Sequence, residues 1–521
     1  MSATTWPHWR EALPKDALAS VVVFLVALPL CMGIAIASGL PPAAGLVTGI
    51  IGGLVVGSIA GSPLQVSGPA AGLAVIVFQL VQQFGVAKLG IIVLLAGVLQ
   101  LTAGLFKVGQ LFRAVSPAVI HGMLGGIGVL IFASQFHVML DDVPKGSGVN
   151  NLLSIPGAIM SGIFPIDGST HHQAAAVGLV TIVALLGWLK FSPSRLKLVP
   201  AHLVAVLVAV GVAQAFALGV NFVSVPDNLL ATLTFPTADT FRALGDPNIL
   251  KAAAALAFIA SAETLLCATA IDQQHDGPRT NYDRELTAQG IGNTLCGAVG
   301  ALPMTGVIVR SSANVAAGAR TRNSAILHGA WLLLLVTVAP FILATIPVAA
   351  LAAILVYTGF KLLNIPQMKK LWVQGRAEFA IYALTLLSIV FTDLLTGVMI
   401  GVAASVAKLL YTVTHLKLTT TRDGEAYHVH IEGAATFLRL PALATTLEAV
   451  PRSAELHIHI DRASFVDHAA LEAIMSWERQ AERANGRLVL EWDAMRQLNR
   501  GTRSFGASAP LLPNAALAES R

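Results

Sequence analysis

The chain has 521 residues, of which 55% are hydrophobic and only 12% are charged, and its mean hydropathy is +0.73. This composition excludes a soluble globular protein, because the apolar residues also come in runs of about 20, the length that crosses about 30 Å of hydrocarbon. The formal net charge of +5 is explained by basic loops and requires no nucleic-acid partner. The sequence therefore predicts a polytopic membrane protein surrounded by membrane lipid.

The apolar segments form two sets of about seven, within residues 16–219 and 251–415, separated by a more polar stretch at 220–249. Together they predict an all-α transmembrane transport domain over residues 1–415. The first run lacks a cleavage site and is interpreted as a membrane helix, not a signal peptide. The segments are 16–38, 44–60, 69–84, 88–112, 116–139, 172–190, 199–219, 251–274, 285–300, 306–318, 323–345, 347–364, 378–395 and 396–415.

Lysine and arginine are concentrated in alternate loops between these segments. If the N-terminus is cytoplasmic, the inner loops contain basic clusters such as Arg320 with Arg322 and Lys369 with Lys370, whereas the outer loops are mostly acidic. Basic residues accumulate in cytoplasmic loops. The pattern therefore predicts a multi-pass protein of the plasma (inner) membrane with both termini in the cytoplasm.

Each set contains a short third segment that begins at a glycine and proline break, at residues 66–72 and 302–310. Paired breaks at matching positions of inverted repeats indicate a transporter's binding site. A helix that starts there leaves N–H groups unpaired and a positive dipole end inside the protein. We expect the two helix starts to face each other and to bind a small anion. The predicted substrate-binding residues are Gly68, Pro69, Ala70, Ala71, Thr305, Gly306, Val307, Ile308 and Arg310.

One carboxylate, that of Glu263, lies deep in an apolar segment. Such a residue is expensive to bury in a membrane and is a functional candidate by default. We predict that Glu263 binds the coupling ion, Na⁺ or H⁺, with Cys267 one turn further along the same face. The alternative is that Glu263 only pairs with Arg310 to hold two helices together. For Arg310 two interpretations stay open: it contacts the anion, or it serves as an anchor at the inner surface.

Beyond residue 415 the pattern becomes that of a small soluble α/β domain, over residues 416–501. Alternating residues predict strands at 428–431 and 456–460, and a helix at 469–484 precedes a further strand at 487–490. The tail, 502–521, is rich in Ser, Ala, Pro and Gly, a composition typical of disorder.

Two His-x-His pairs, His428 with His430 and His457 with His459, lie in these strands. No cysteine or carboxylate pattern accompanies them, so we interpret them as a solvated strand face and not a metal site. A nucleotide-binding G-x-x-x-x-G-K-[ST] motif is also absent, which argues against an ATP-driven motor in the same chain. The sequence predicts neither an enzyme nor a cofactor.

Two motifs resemble those of the SulP (sulfate permease) anion transporters. Residues 283–293, D-R-E-L-T-A-Q-G-I-G-N, are similar to the family's N-x-E-L-x-x-x-G-x-x-N, with Asp283 in place of the first Asn. Residues 306–321 are similar to G-x-x-x-R-S-x-x-N followed by A-G-x-x-T. The resemblance implies a seven-plus-seven inverted repeat with core and gate domains, elevator-type alternating access, a homodimer and a cytoplasmic STAS domain. No serine follows Asp467, so phosphorylation is not expected there.

The surroundings of Glu263 most resemble the branch that transports bicarbonate or is joined to carbonic anhydrases. In that branch an acidic residue at this position helps to bind Na⁺, although Cys267 stands where a cation-binding hydroxyl would be expected. The sequence thus predicts a secondary active transporter of a small inorganic oxyanion, bicarbonate or sulfate, coupled to Na⁺ or H⁺. The alternatives are a dicarboxylate carrier on the same scaffold, a passive anion channel and a membrane sensor.

Overall fold

The computed structural model describes residues 9–110, 116–145, 147–164, 170–193, 196, 199–224, 233–237, 240, 242–460 and 463–490. The chain divides into two compact units, Met1–Val402 and Ala403–Arg521. The division falls within a long helix, Leu394–Thr414, close to the boundary predicted after residue 415. The predicted disordered tail, 502–521, lies outside the described residues.

The first unit is a bundle of apolar helices, and eight helices of the described chain are long and apolar enough to cross a membrane. Each predicted apolar segment overlaps one helix of the bundle, and the predicted fold class is confirmed. The elements are α1 (Trp9–Ala37), α2 (Pro42–Ile59), β1 (Ser67–Pro69), α3 (Ala71–Phe84), α4 (Val86–Leu105), α5 (Pro117–Met139), α6 (Gly148–Ile163), α7 (Thr170–Phe191), α8 (Ala201–Ala215), α9 (Pro247–Asp272), α10 (Tyr282–Ala298), β2 (Met304–Gly306), α11 (Ile308–Ala316), α12 (Asn323–Val338), α13 (Val348–Leu362), α14 (Ile365–Gln374), α15 (Arg376–Phe391) and α16 (Leu394–Thr414).

Two of these helices, α6 and α14, were not predicted from the sequence. They have 16 and 10 residues and begin at side-chain caps, where Ser147 accepts from the N–H of Asn150 and Asn364 from that of Gln367. Helix α6 is short and contains Pro156, and α14 is shorter still and contains Lys369 and Lys370. Neither therefore forms an apolar run of about 20 residues, which is the signal that a membrane span leaves in a sequence.

Glycines allow α4 and α10 to pack with their backbones in contact. A Cβ atom added at Gly290 would lie 2.3 Å from the N atom of Leu101, and one added at Gly297 would lie 2.2 Å from the N atom of Leu94. Helices in membranes associate through such small residues, since lipid provides no hydrophobic drive between them. The close contact fixes α10 as a rigid support beside the two short strands.

The second unit is a five-stranded sheet with two helices. Four buried apolar side chains on one sheet face, Val429, Ile431, Leu456 and Ile458, form its core with the helices. The elements are β3 (Leu416–Asp423), β4 (Ala426–Ala435), α17 (Leu440–Glu448), β5 (Glu455–His459), β6 (Ala463–Val466), α18 (His468–Glu482) and β7 (Arg487–Leu490). The strand order is β3-β4-β5-β7, and β6 also pairs with β4.

Three elements of this unit, β3, α17 and β6, were not predicted from the sequence. Strand β3 is exposed along most of its length, so it lacks the apolar alternation that indicates a strand. Strand β6 has only four residues, too few to show a period. At the position compared with a phosphorylation loop, Asp467 caps α18 by accepting from the N–H of Ala470.

Candidate functional site

The two chain breaks meet as a two-stranded antiparallel ribbon inside the bundle. In β1 and β2, Ser67 lies opposite Gly306, Gly68 opposite Thr305 and Pro69 opposite Met304. All six residues are buried. Because the strands are antiparallel, the chain leaves them at opposite ends of the ribbon, into α3 on one side and α11 on the other. The structure therefore brings together the two predicted halves of the site.

The N–H groups at these helix starts are only partly free. Gly306 donates to Thr264 Oγ1 at 3.2 Å, and Val307 donates to the carbonyl of Val66 at 2.9 Å. These two donors, which we expected to face the anion, are thus engaged within the protein. The first residues inside each helix have no acceptor one turn back, and here they are Ala71 in α3 and Ile308 in α11. The candidate backbone donors therefore lie at Ala71 and Ile308, slightly further along the chain.

Arg310 lies in the first turn of α11, and its side chain is completely buried. Its Nη2 donates to the carbonyl of Pro69 at 3.3 Å, whereas Nε and Nη1 have no hydrogen-bond partner among the described residues. The guanidinium lies against the ribbon, since a Cβ atom added at Gly68 would be 2.3 Å from Nη1. A buried cation with open donors is costly unless an anion completes it. Arg310 is thus an anion ligand candidate, not a surface anchor.

Glu263 in α9 points to the other helix start. A Cβ atom added at Gly72, in the first turn of α3, would lie 2.5 Å from Glu263 Oε1. Its Oε2 is buried, and within the described residues it has no hydrogen-bond partner. The ion pairs of the described chain do not include one between Glu263 and Arg310. The guanidinium therefore contacts β1 and the carboxylate lies beside α3, which does not fit the alternative in which they only hold each other.

Cys267 lies one turn after Glu263 on α9 and packs against α11. It is fully buried, and its Sγ is 3.7 Å from Ser311 Oγ on α11. It also packs in a small apolar cluster with Leu64 and Ile271. A thiol in this position fills space between α9 and α11. Thr264, which our sequence reasoning missed, is the hydroxyl next to the ribbon.

One face of α10 supports the ribbon through buried polar side chains at spacings of four residues. Glu285, fully buried, accepts from the N–H of Ser62 at 2.9 Å and from Gln65 Nε2 at 2.7 Å. Gln289 donates to Ser67 Oγ at 2.5 Å, and Asn293 accepts from the N–H of Met304 at 2.7 Å. Because both strands are bound to one helix, their register is fixed. Glu285 and Asn293 belong to the quoted motif, and their hydrogen bonds give it a physical reason.

The second motif anchors the loop that precedes β1. On α11, Ser311 Oγ accepts from the N–H of Val66 at 2.9 Å, and Asn314 Nδ2 donates to the carbonyl of Leu64 at 3.0 Å. After α11, the N–H of Thr321 donates to Asp16 of α1 at 3.0 Å. The polar motif residues other than Arg310 therefore have structural partners.

Two cavities border α3 and α11, the two half-helices that follow the strands of the ribbon. One, of about 210 Å³, lies between α3 and α5 and is lined by Ala74, Phe78 and Gln135 among others. The second, of about 220 Å³, lies beside α11 and is lined by Val309 and Ala313 together with residues of α1 and α8. Each half-helix thus has its own cavity.

A cluster formed by α5, α6 and the loop between them has the order of a hydrolytic triad. His137 Nδ1 is 2.7 Å from Asp142 Oδ2, and its Nε2 is 3.0 Å from Ser154 Oγ. However, Nε2 also faces the carbonyl of Asn151 at 3.1 Å, and Ser154 donates to the carbonyl of Asn150 at 2.7 Å. The serine hydroxyl thus donates to a backbone carbonyl and not to the imidazole. The imidazole is not placed to deprotonate the serine, and the cluster is structural.

The same cluster shifts the pKa of Asp142. Burial raises this pKa, but hydrogen bonds from Lys145, His137 and the N–H of Val143 favour the carboxylate, so that the pKa lies below its ordinary value. A lowered pKa stabilises the folded state at neutral pH. The contribution is lost as the pH falls through the lowered pKa.

The fold and the site together define a class: a multi-pass membrane protein whose two inverted, discontinuous helices meet around a buried charge, as in secondary transporters. Comparison with known proteins agrees with this class. The sulfate permease family matches residues 13–385, and a STAS domain of the Mlab type matches residues 418–504. The chain belongs to the sulfate permease family.

Relatives of known name align over most of the chain. YvdB of Bacillus subtilis is 28% identical over 501 residues, which cover 92% of this chain and 91% of that protein. The bicarbonate transporter BicA of Picosynechococcus is 27% identical, over 77% of this chain and 71% of its own. The structure of the murine Solute Carrier 26 family member A9 anion transporter has a TM-score of 0.69 at 16% identity, over 97% of this chain and 89% of that one. All three are described as transporters, YvdB as a putative sulfate transporter, which agrees with the expectation that the chain is not an enzyme.

Proposed function

We propose that the protein is a secondary active transporter of a small inorganic oxyanion, bicarbonate or sulfate, coupled to Na⁺ or H⁺. The observation that carries the proposal is the buried ribbon with Arg310 against β1 and Glu263 beside the start of α3, each with open polar atoms among the described residues. The family's description as sulfate permeases and the name of the bicarbonate transporter BicA support the choice of substrate class.

The arrangement suits transport because the anion meets few strong ligands. One guanidinium offers forked donors to an oxyanion, and the helix starts at Ala71 and Ile308 add partial positive charge. This is enough to attract a monovalent or divalent anion without a complete cage, so that release remains possible. The two cavities, one beside each half-helix, suit access from one side at a time.

Glu263 supplies the coupling in this proposal. Its open Oε2 lies beside α3, so the carboxylate is available to a small cation or a proton. A bound Na⁺ or H⁺ would neutralise the carboxylate and remove its repulsion of the anion. Cation binding would thereby favour anion binding, which is the linkage that a symporter requires.

Elevator-type movement of the ribbon and its supporting helices, in a homodimer of the plasma (inner) membrane with cytoplasmic termini, completes the proposal. The direct interhelical contact of α4 with α10 and the hydrogen bonds from α10 to both strands support movement of these parts as one body.

The test is uptake by the full-length chain in proteoliposomes, with labelled bicarbonate, sulfate and succinate offered under separate Na⁺ and pH gradients. We expect saturable uptake of bicarbonate or sulfate that one of the two gradients stimulates. Uptake of succinate alone would replace the proposal by a dicarboxylate carrier. Large ohmic currents that neither gradient drives would replace it by a channel.

The coupling role of Glu263 is tested separately by substitution. Glu263→Gln keeps the shape of the side chain but cannot ionise, and we expect it to abolish the stimulation of uptake by the cation gradient. Glu263→Ala should abolish coupled uptake as well, without loss of folding. The exposed Glu425→Gln, in the turn between β3 and β4, serves as the matched control. Gradient-stimulated uptake at the wild-type rate in Glu263→Gln would contradict the assignment.

A further inference from the structure

The cavity beside α3 is lined by a buried side-chain amide, that of Gln135 on α5. The cavity has a volume of about 210 Å³, and Gln135 is only 2% exposed. Among the described residues, its carboxamide has no hydrogen-bond partner. A buried carboxamide without a partner is costly, and almost all such groups in proteins are satisfied. The open amide therefore indicates a polar ligand that enters the cavity.

The other polar side chains of this cavity differ from Gln135 in how they are used. Ser134 and Thr392 each donate to a backbone carbonyl one turn earlier in the chain, at 3.3 and 2.6 Å. Asn151 Oδ1 accepts from the N–H of Lys145 at 2.7 Å. Gln79 of α3 also lines the cavity, but it is only half-buried. Gln135 is thus the deeply buried side chain whose donors and acceptor remain open to the cavity.

One face of α3 connects the cavity with the start of that helix. Val75 and Phe78 line the cavity, and Ala71 lies one turn before Val75 on the same helix face. These three residues are half-buried, whereas Leu73 and Val77 on the opposite face are buried. The accessible face of α3 therefore runs from the wall opposite Gln135 to the candidate backbone donor at Ala71.

The lining of the cavity is neutral. None of the described residues that line it is charged. Removal of an ion from water costs more as the charge of the ion rises, so a lining without a fixed cation favours a singly charged anion. At about 30 Å³ for each water molecule, the cavity has room for a small oxyanion that retains some of its water.

We propose that Gln135 binds the transported anion across the cavity from α3 and selects a singly charged oxyanion with a hydroxyl group, such as bicarbonate, over sulfate. The carboxamide Nε2 donates to an oxygen of the anion, and Oε1 accepts from the hydroxyl group. Sulfate has no proton to donate at neutral pH, so its oxygens would meet the lone pairs of Oε1. The inference rests on the proposed function, to which it adds a ligand and a choice of substrate.

The position of Gln135 also provides for release of the anion. In the proposed movement, the ribbon travels with α4 and α10, whereas Gln135 belongs to α5. The movement would separate the helix start at Ala71 from the amide of Gln135 and so remove one of the anion's ligands. The sequence does not reveal this role, because an uncharged side chain within the apolar run 116–139 lacks the high cost that distinguishes Glu263.

The first experiment measures uptake of labelled bicarbonate and sulfate against concentration in proteoliposomes that contain the full-length chain. The wild type should have a KM for bicarbonate at least about tenfold below that for sulfate. Gln135→Met keeps the length of the side chain but removes its donors and acceptor, and it should raise the KM for bicarbonate about tenfold. Gln214→Met, at an exposed position near the end of α8, is the matched control. An unchanged KM for bicarbonate in Gln135→Met, or equal KM values in the wild type, would overturn the inference.

The second experiment measures binding without transport. The three native cysteines, Cys31, Cys267 and Cys296, are buried, so a small thiol reagent should react with the cavity residue in Ser134→Cys. Bicarbonate should slow this reaction, and the double variant Ser134→Cys/Gln135→Met should need about tenfold more bicarbonate for the same protection.

The two experiments separate the inference from the proposed function. Protection by bicarbonate without any uptake would contradict the proposed function and leave the binding role of Gln135 in place. Normal uptake by folded Ser134→Cys without protection would overturn the inference alone. Equal protection by bicarbonate and sulfate would also overturn it, even if Gln135→Met failed to fold.

Discussion

The two half-helices that meet at the ribbon have similar backbones and different chemistry. Each follows a three-residue strand, but α3 has 14 residues and begins with Ala71 and Gly72, whereas α11 has 9 residues and contains Arg310 in its first turn. The first half supplies space and the second supplies charge. Gly68 makes room for the guanidinium of Arg310, and Gly72 makes room for the carboxylate of Glu263.

This difference explains how inverted repeats produce one site and not two. A symmetric pair would place a buried cation at each helix start, which would repel its counterpart and hold an anion too firmly. With the guanidinium against β1 and the carboxylate beside Gly72 of α3, the anion and the coupling ion meet different groups. The support is also asymmetric, because α10 of the second half holds the strands of both halves.

Removal of the buried guanidinium of Arg310 should have the largest effect on transport. A hydrogen bond to a charged group contributes about 1.5–3 kcal/mol, so Arg310→Ala should reduce the apparent affinity for the anion about tenfold to a hundredfold. Measurement is by uptake against anion concentration. Arg320→Ala, which removes an exposed arginine close to α11 in sequence, is the control. Equal losses in both variants would show that charge in general, and not Arg310, matters.

Substitution of Gly68 should affect the transport of the anion, and substitution of Gly72 should affect the coupling cation. In Gly68→Ala the added methyl meets Arg310 Nη1, and in Gly72→Ala it meets Glu263 Oε1. Both contacts involve the ends of side chains that can move, so the protein should fold. We expect Gly68→Ala to raise the KM for the anion several-fold, and Gly72→Ala to raise the cation concentration for half-maximal uptake. Gly187→Ala, where a Cβ meets nothing within 4 Å, is the control. Identical changes in both variants would refute the separation.

The smallest effect on transport is expected from the supporting helix. Glu285→Gln preserves shape but replaces the carboxylate that accepts from Ser62 and Gln65. Loss of buried charge-assisted hydrogen bonds should lower the free energy of unfolding by about 1–3 kcal/mol. The measurement is the Tm in detergent, with uptake per folded protein as the companion. A large loss of uptake at unchanged Tm would place Glu285 in the transport site itself.

The pairing of the two chain breaks could be predicted from the residues, but the hydrogen bonds around the ribbon could not. The breaks at 66–72 and 302–310 interrupt apolar runs, so their pairing could be inferred from matching positions. The engagement of the Gly306 and Val307 N–H groups could not, because their acceptors, Thr264 and Val66, lie on other elements. The spacing of Glu285, Gln289 and Asn293 indicates one helix face, but it does not identify partners more than 190 residues away.

Hydrophobicity determined by itself the membrane class, the order of the helices and the small C-terminal domain, because the requirement to cross hydrocarbon with every backbone group paired leaves few alternatives. It also identified Glu263 as a candidate, since a carboxylate deep in an apolar segment is costly, but not the buried carboxylates of Asp16 and Glu285. Only the tertiary structure decided that Arg310 contacts β1 and that Glu263 lies beside α3. Those outcomes depend on strand register and on backbone contacts between distant segments, which are fixed by packing and not by local sequence.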